Sequence, residues 1–201
     1  MADPAPLSAL ADLLRPHRVG PEGKPGLRLS ERMGLAIRQI AAWRDSDVPA
    51  ARSTLRRSLG IALPKQPNVA ASADGLVVFW IAPRRVWLVG AAEHAASLAD
   101  LRDLLAGQAA VTDLSHSRVV LRLEGADART ALAKLCRIDL HPKAFAPGRT
   151  AQTPLGQIAA LIHCADGAPT FDLYLPRSLA RSAAETLIDT AAEFGLACEH
   201  P

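Results

Sequence analysis

The residue types that could do chemistry are few and widely scattered. Asp113, Ser115 and His116 supply the acid, the nucleophile and the base of an acyl-transfer triad. A triad needs side chains that converge, and neighbours in an extended segment point away from one another. The pattern therefore predicts a turn in which Asp and Ser side chains satisfy backbone donors. His141, His163 and Cys164 are the residue types of a metal site. Zinc ligands come as closely spaced pairs, which this sequence lacks, and His163 and Cys164 would face opposite sides of a strand. Gly20, Gly23 and Gly26 have the spacing of a phosphate loop, but no strand precedes them and no Lys-Ser or Lys-Thr opens a helix after them. A flexible linker is expected there. Nor does a Gly-rich turn join a strand to a helix, as a flavin or nicotinamide site of the chain's own would require. The residues thus predict no catalytic, cofactor-binding or metal-ligating group in this chain.

Composition narrows the class. With 49% hydrophobic and 21% charged residues the 201-residue chain reads as an ordinary globular protein, long enough for one domain or two small halves sharing a core. The formal charge of +3 is small, the basic residues are mostly scattered arginines, and aromatics are only 4%. Nucleic-acid binding would need a basic stripe with aromatic platforms, so no nucleic-acid partner is expected. Asp3 and Asp12 bracket only a short apolar run from Leu7 to Leu10, unlike a secretory signal, and no stretch has the apolar length of a membrane span. Cys136, Cys164 and Cys198 are odd in number and far apart, which argues against a disulfide framework. A cytoplasmic protein with no membrane partner is the expectation.

The elements that must position these residues follow from periodicity. Residues 1–26, rich in Pro and Gly from Pro4 and Pro6 onward, predict a partly flexible arm with a short helix at Ser8–Leu14 that docks through Leu10, Leu13 and Leu14. Residues 27–42 predict one or two strands. A helix carrying Val48, Ala51, Leu55 and Leu59 ends at Gly60; strands at Asn68–Ala73 and Leu76–Ile81 flank an Asp74-Gly75 turn; Val86–Val89 is extended. A helix over about 94–105 buries Leu98, Leu101 and Leu105. In the second half, Val119, Leu121 and Leu123 alternate with Val120, Arg122 and Glu124 in a strand over 118–124. A helix over 126–136, strands near 150–163 and 170–175 and a last helix from Leu179 to Phe194 complete it. Strands and helices mixed without strict alternation give an α+β fold, read as a single domain over 27–201 made of two similar sheet-and-helix halves. Trp43, Trp80 and Trp87 are expected in the core, or else with Arg84, Arg85, Arg177 and Arg181 at an interface.

The stretch Val111–Gly148, with its strand, Gly125-Ala126-Asp127-Ala128-Arg129 turn, helix, Ile138-Asp139-Leu140 and the run Phe145–Thr153, resembles the folate-binding domain of the glycine cleavage aminomethyltransferase. With Trp80-Ile81-Ala82-Pro83, Trp87-Leu88, Phe171–Leu175, Pro176-Arg177-Ser178 and Glu193-Phe194-Gly195, it is more closely similar to the gamma subunit family of heterotetrameric sarcosine oxidase. The broader resemblance implies the duplicated fold. In catalytic aminomethyltransferases the corresponding strand carries a Gly-Gly and a pair of aspartates; here Thr153-Pro154-Leu155-Gly156-Gln157-Ile158-Ala159-Ala160 has no carboxylate. An apolar side chain cannot stabilise a cationic amine. Lys134-Leu135-Cys136 only partly imitates the Lys-Gly-Cys-Tyr motif of the iron-sulfur assembly relatives, so Cys136 reads as a small core residue. The closer resemblance implies a non-catalytic subunit of a complex that demethylates sarcosine. Alpha, beta and delta subunits would be its partners, and flavins, NAD and tetrahydrofolate would sit on them. A stand-alone folate-binding protein, or the same subunit of an N-methyl amino acid dehydrogenase, are the alternatives.

Overall fold

Period-two stretches build two sheets, each with helices packed on its apolar face. The computed structural model describes residues 8–23 and 25–199; Pro4, Pro6 and the rest of 1–7 lie outside the described residues. In chain order the strands are β1 (His17–Val19), β2 (Leu27–Glu31), β3 (Ala36–Ala42), β4 (Ala71–Ala73), β5 (Leu76–Ala82), β6 (Arg85–Gly90), β7 (Ala109–Asp113), β8 (Arg118–Glu124), β9 (Thr150–Leu155), β10 (Ile158–Asp166), β11 (Thr170–Pro176) and β12 (Leu196–Cys198). The helices are α1 (Val48–Leu59), α2 (Ala95–Ala99), α3 (Leu101–Leu104), α4 (Ala128–Ala133) and α5 (Ala180–Ala191), with short 3-10 turns beside some of them.

The chain divides into two compact units: Gly34–His116, and the chain up to Met33 together with the chain from Ser117 onward. The second of these holds a seven-stranded sheet ordered β1-β12-β2-β8-β11-β10-β9, antiparallel except where β12 runs parallel to β2. Leu29, Leu121, Leu123, Phe171, Leu173 and Ile162 point to one face, where Leu132 of α4 and Ala183 and Leu187 of α5 close the core. Leu10 and Leu14 enter the same core, so the N-terminal segment docks on its own unit. It does so as a turn, not the expected helix: Leu13 N and Leu14 N both donate to Leu10 O, and Ser8 Oγ accepts from Leu10 N at 2.9 Å. Seven residues close to prolines are too few to propagate a helix. The unit Gly34–His116 holds a five-stranded sheet ordered β4-β5-β6-β3-β7. Ile40, Val78 and Leu88 face Leu55 of α1 and Leu98 and Leu101 of α2 and α3.

Two turns require their glycines. Asp74 and Gly75 both have positive φ, 47° and 77°, the conformation of a two-residue hairpin turn, as the sequence predicts. Gly125 has φ +128°, and a Cβ there would stand 2.0 Å from the carbonyl oxygen of Gly26. No side chain fits where those two backbones cross.

Other boundaries differ from expectation for identifiable reasons. Asn68 adopts φ +62°, so the strand expected over 68–73 begins only at Ala71. The helix expected over 94–105 is broken into α2 and α3; Asp100 O takes bonds from both Asp103 N and Leu104 N, which tightens the chain there. Leu98, Leu101 and Leu105 are nevertheless fully buried. The helix expected over 126–136 ends at Ala133, with Cys136 beyond it. β7 occupies residues 109–113, over which the sequence predicts no strand; an edge strand needs only one partner, and β3 supplies it. Trp87 is buried and Trp80 half-buried, but Trp43, just past the end of β3, is 57% exposed and not a core residue.

Candidate functional site

The residue types singled out by the sequence are held apart by the strands that carry them. Asp113 ends β7, and its Oδ1 accepts Ser115 N at 2.8 Å, closing the turn the sequence predicts. Ser115 Oγ accepts from Ile37 N and from Arg38 Nη1, both at 3.0 Å, and the same guanidinium meets Asp113 Oδ1 at 2.6 Å. Burial works against the Asp113 charge, but the hydrogen bonds from Ser115 and the nearby Arg38 and His116 outweigh it and hold the carboxyl below its usual range. The hydroxyl accepts from two fixed donors and anchors β3.

His141 stands in a turn whose backbone is tied by Asp139 Oδ1 at 2.8 Å, and its own Nδ1 accepts from Lys143 N at 3.2 Å. His163 and Cys164, adjacent on β10, do project to opposite faces: Cys164 enters the apolar core, while His163 faces Asp172. They do not converge on a common point. Cys136 Sγ donates to Leu132 O at 3.2 Å. Burial raises the thiol pKa of Cys136 and Cys164 and pushes that of Cys198 up to about 11, so all three stay protonated at neutral pH.

The sequence reading missed a connected polar row among the described residues. In register across β2, β8, β11, β10 and β9 stand Ser30, Arg122, Asp172, His163 and Thr150, a row running straight over the sheet on the face opposite the apolar core. Asp172 is 2% exposed. Its Oδ1 accepts from Arg122 Nε at 2.7 Å, and its Oδ2 accepts from Arg122 Nη2 at 2.9 Å and Arg32 Nη1 at 2.8 Å. The Arg122 fork is bidentate, the strongest geometry for this pair. Burial pushes His163 down to about 4, Asp172 opposing and the two arginines assisting, so the imidazole is neutral at physiological pH. Burial likewise raises Tyr174, which keeps its phenol protonated. A carboxylate saturated by two guanidiniums and a neutral imidazole make a poor proton relay and a good staple. The available signal was a polar residue between two apolar neighbours in each of three strands: Arg122 between Leu121 and Leu123, His163 between Ile162 and Cys164, and Asp172 between Phe171 and Leu173.

Arg129 fixes the loop after α4. Its Nη1 donates to Leu140 O at 2.6 Å and Phe145 O at 2.9 Å, while the guanidinium lies 5.2 Å from the Phe171 ring centroid. Phe145 stacks on that same ring at 6.3 Å. The stretch from α4 to Phe145 is thus organised around one arginine. On the unit Gly34–His116 a different surface stands open, a groove between α1 and the sheet lined by Leu55, Leu63 and Trp80 and by Arg52, Arg84 and Arg85.

These features sit on a known scaffold. Residues 43–193 match the family described as "Sarcosine oxidase, gamma subunit family". The sarcosine oxidase gamma subunit of an Arthrobacter species is 38% identical over 115 residues, 56% of this chain and 56% of that protein. The chain therefore matches just over half the length of that relative. The gamma subunit of Corynebacterium sp. strain U-96 is 33% identical over 147 residues, 72% of this chain and 71% of that protein. A chain of the heterotetrameric sarcosine oxidase from Corynebacterium sp. U-96, solved with pyrrole 2-carboxylate, superposes with a TM-score of 0.77 at 29% identity, covering 86% of this chain and 87% of that one. Glycine cleavage aminomethyltransferase T from Bartonella henselae shares the fold, with a TM-score of 0.59 at 21% identity over 85% of this chain and 50% of that one. With its two sheet-and-helix units and a family match over 43–193, the chain belongs to the sarcosine oxidase gamma subunit family.

Proposed function

We propose that this chain is a non-catalytic subunit of a heterotetrameric sarcosine oxidase, contributing contacts and stability to a complex whose reacting groups sit on its alpha, beta and delta partners. There a flavin oxidises the N-methyl amine of sarcosine, oxygen takes the two electrons to give hydrogen peroxide, glycine is released, and tetrahydrofolate captures the one-carbon unit. The flavins, NAD and tetrahydrofolate belong to the partners in this reading, and the complex is cytoplasmic. The observation that carries it is the state of the polar side chains. Ser115 Oγ accepts two fixed donors, Asp172 is saturated by Arg32 and Arg122, and His163 is held neutral by burial. The outward positions of the β9–β10 hairpin, Gln152, Pro154, Gln157 and Ala159, offer no charge to a cationic amine or a folate.

The test is co-expression of the tagged full chain with its flavoprotein partners. A stoichiometric yellow complex that releases peroxide with sarcosine, and that loses stability when this chain is omitted, is the expected result. Turnover of sarcosine by the isolated polypeptide refutes the reading. Heat of tetrahydrofolate binding to the lone chain moves it to a folate-binding protein, and a complex that oxidises an N-methyl amino acid without oxygen moves it to a dehydrogenase.

A further inference from the structure

The groove on the unit Gly34–His116 has an apolar floor and a cationic rim. Ile40, Leu55 and Val86 are buried at its base, and Leu63 and Trp80 are half-buried along its sides. Three exposed arginines, Arg52, Arg84 and Arg85, line it, and among the described residues no carboxylate does. Two of the three are held in place. The Arg52 guanidinium lies 5.7 Å from the Trp80 ring centroid. Arg84 has φ +63°, an uncommon backbone state for a side chain of its size, and its Nη1 donates to Trp43 O at 2.9 Å. Its counter-ion Asp45, 3.5 Å from Nε, has a side chain 92% exposed, so solvent screens most of that attraction. Trp43 itself, next to Ala42 of the groove wall, is 57% exposed.

A trough of this kind accepts an apolar side chain flanked by negative charge. Arginine and tryptophan together are the residues that most often anchor an interface. We propose that the groove seats an acidic polypeptide segment of a partner subunit, with one apolar side chain against Leu63 and Trp80 and carboxylates on Arg52 and Arg85. This inference rests on the subunit reading. A second copy of the chain is a poorer occupant, because a symmetric contact would set the positive rim against itself.

The experiment uses the full chain with Arg52→Glu and Arg85→Glu combined, Arg85→Glu alone in case the pair perturbs folding, and Arg102→Glu on α3 as a control, beside the wild type. Each is checked by circular dichroism and then titrated with the co-expressed flavoprotein partners. The expected result is association weakened at least about tenfold by the double reversal, less by Arg85→Glu, with the difference shrinking as salt rises to roughly 0.5 M. Arg102→Glu should bind as the wild type does. Unchanged affinity in the groove variants overturns the inference and leaves the subunit reading standing. An equal loss in Arg102→Glu overturns it in favour of diffuse charge. A wild-type chain that dimerises, and turns monomeric with the reversals, overturns it in favour of a second copy. A wild-type chain that ignores the flavoproteins ends both.

Discussion

Replacing Asp172 with alanine removes the acceptor of three charge-assisted hydrogen bonds and leaves two arginines converging on a vacated site. Breaking a buried ion pair from one side costs about 3–5 kcal/mol, because the surviving charge stays desolvated. The side chains of Arg32 and Arg122 are 31% and 29% exposed, so water can reach them in part, which sets the loss at the lower end, about 3 kcal/mol. For a chain of this length that corresponds to a drop in Tm of roughly 6–12 °C. Asp172→Asn keeps the shape but turns an amide N–H towards the guanidiniums, and should lose about 2 kcal/mol. Calorimetric melts are the assay. The chain has two compact units, so the loss should appear in the transition of the unit that contains Asp172, and the other should hold. A double-mutant cycle between Arg122→Met and Asp172→Leu should give a coupling above about 1.5 kcal/mol, since the pair replaced by apolar groups leaves only Arg32, which can turn to solvent. An alanine variant that loses less than about 1 kcal/mol, or a coupling near zero, would refute the argument that this row holds the sheet together.

His163 makes stability depend on pH. Its imidazole titrates near 6.5 unfolded and is pushed down to about 4 by burial in the native sheet. Between those values the unfolded state binds the extra proton, so this contribution is fully present above pH 6.5 and is lost as pH falls towards 4. Its size is about 3 kcal/mol. Urea titrations at several pH values should show the wild type falling more steeply across this window than His163→Gln; parallel curves would rule the effect out. Arg129→Met keeps the apolar stem over Phe171 but strips two carbonyls of their donor, at about 2–3 kcal/mol. Hydrogen exchange should then quicken over 137–148 while β10 and β11 keep their protection, and a uniform change along the chain would count against a local role.

The strand 118–124, the Asp74-Gly75 hairpin and the apolar face of α5 could be read from the sequence because each carries its own pattern. The three-residue β1 and β12 carry none. They are strands only because each completes the other and β2 lies alongside, a fact of tertiary pairing that no local window contains. The candidate chemistry was legible where the question was one of direction. Alternation alone sends His163 and Cys164 to opposite faces, and adjacency alone makes Asp113 and Ser115 a turn. The buried row was not legible, because its members lie far apart in sequence and each looks by itself like the solvent side of a half-buried strand. Arg122 alternates with Leu121 and Leu123 as an exposed residue would, yet Val120, on its side of β8, is 2% exposed.

That burial on both faces gives the row a purpose a simple amphipathic sheet would not need. β11 carries Phe171, Leu173 and Leu175 towards the helices and Thr170, Asp172 and Tyr174 on the other side, all buried, so burial alone does not distinguish its two faces. A slip by one residue reverses every side chain. Asp172 opposes such a slip. Moved to the other face it would enter the core among Leu121, Leu123 and Ile162 without a donor, whereas in register it meets Arg122 on one neighbour and stands opposite His163 on the other. The unpaired carboxylate would cost several kcal/mol in that core, more than the apolar contacts that a slipped strand could keep. Among the described residues, Asp172 is thus the side chain that ties the register of β8, β11 and β10 together.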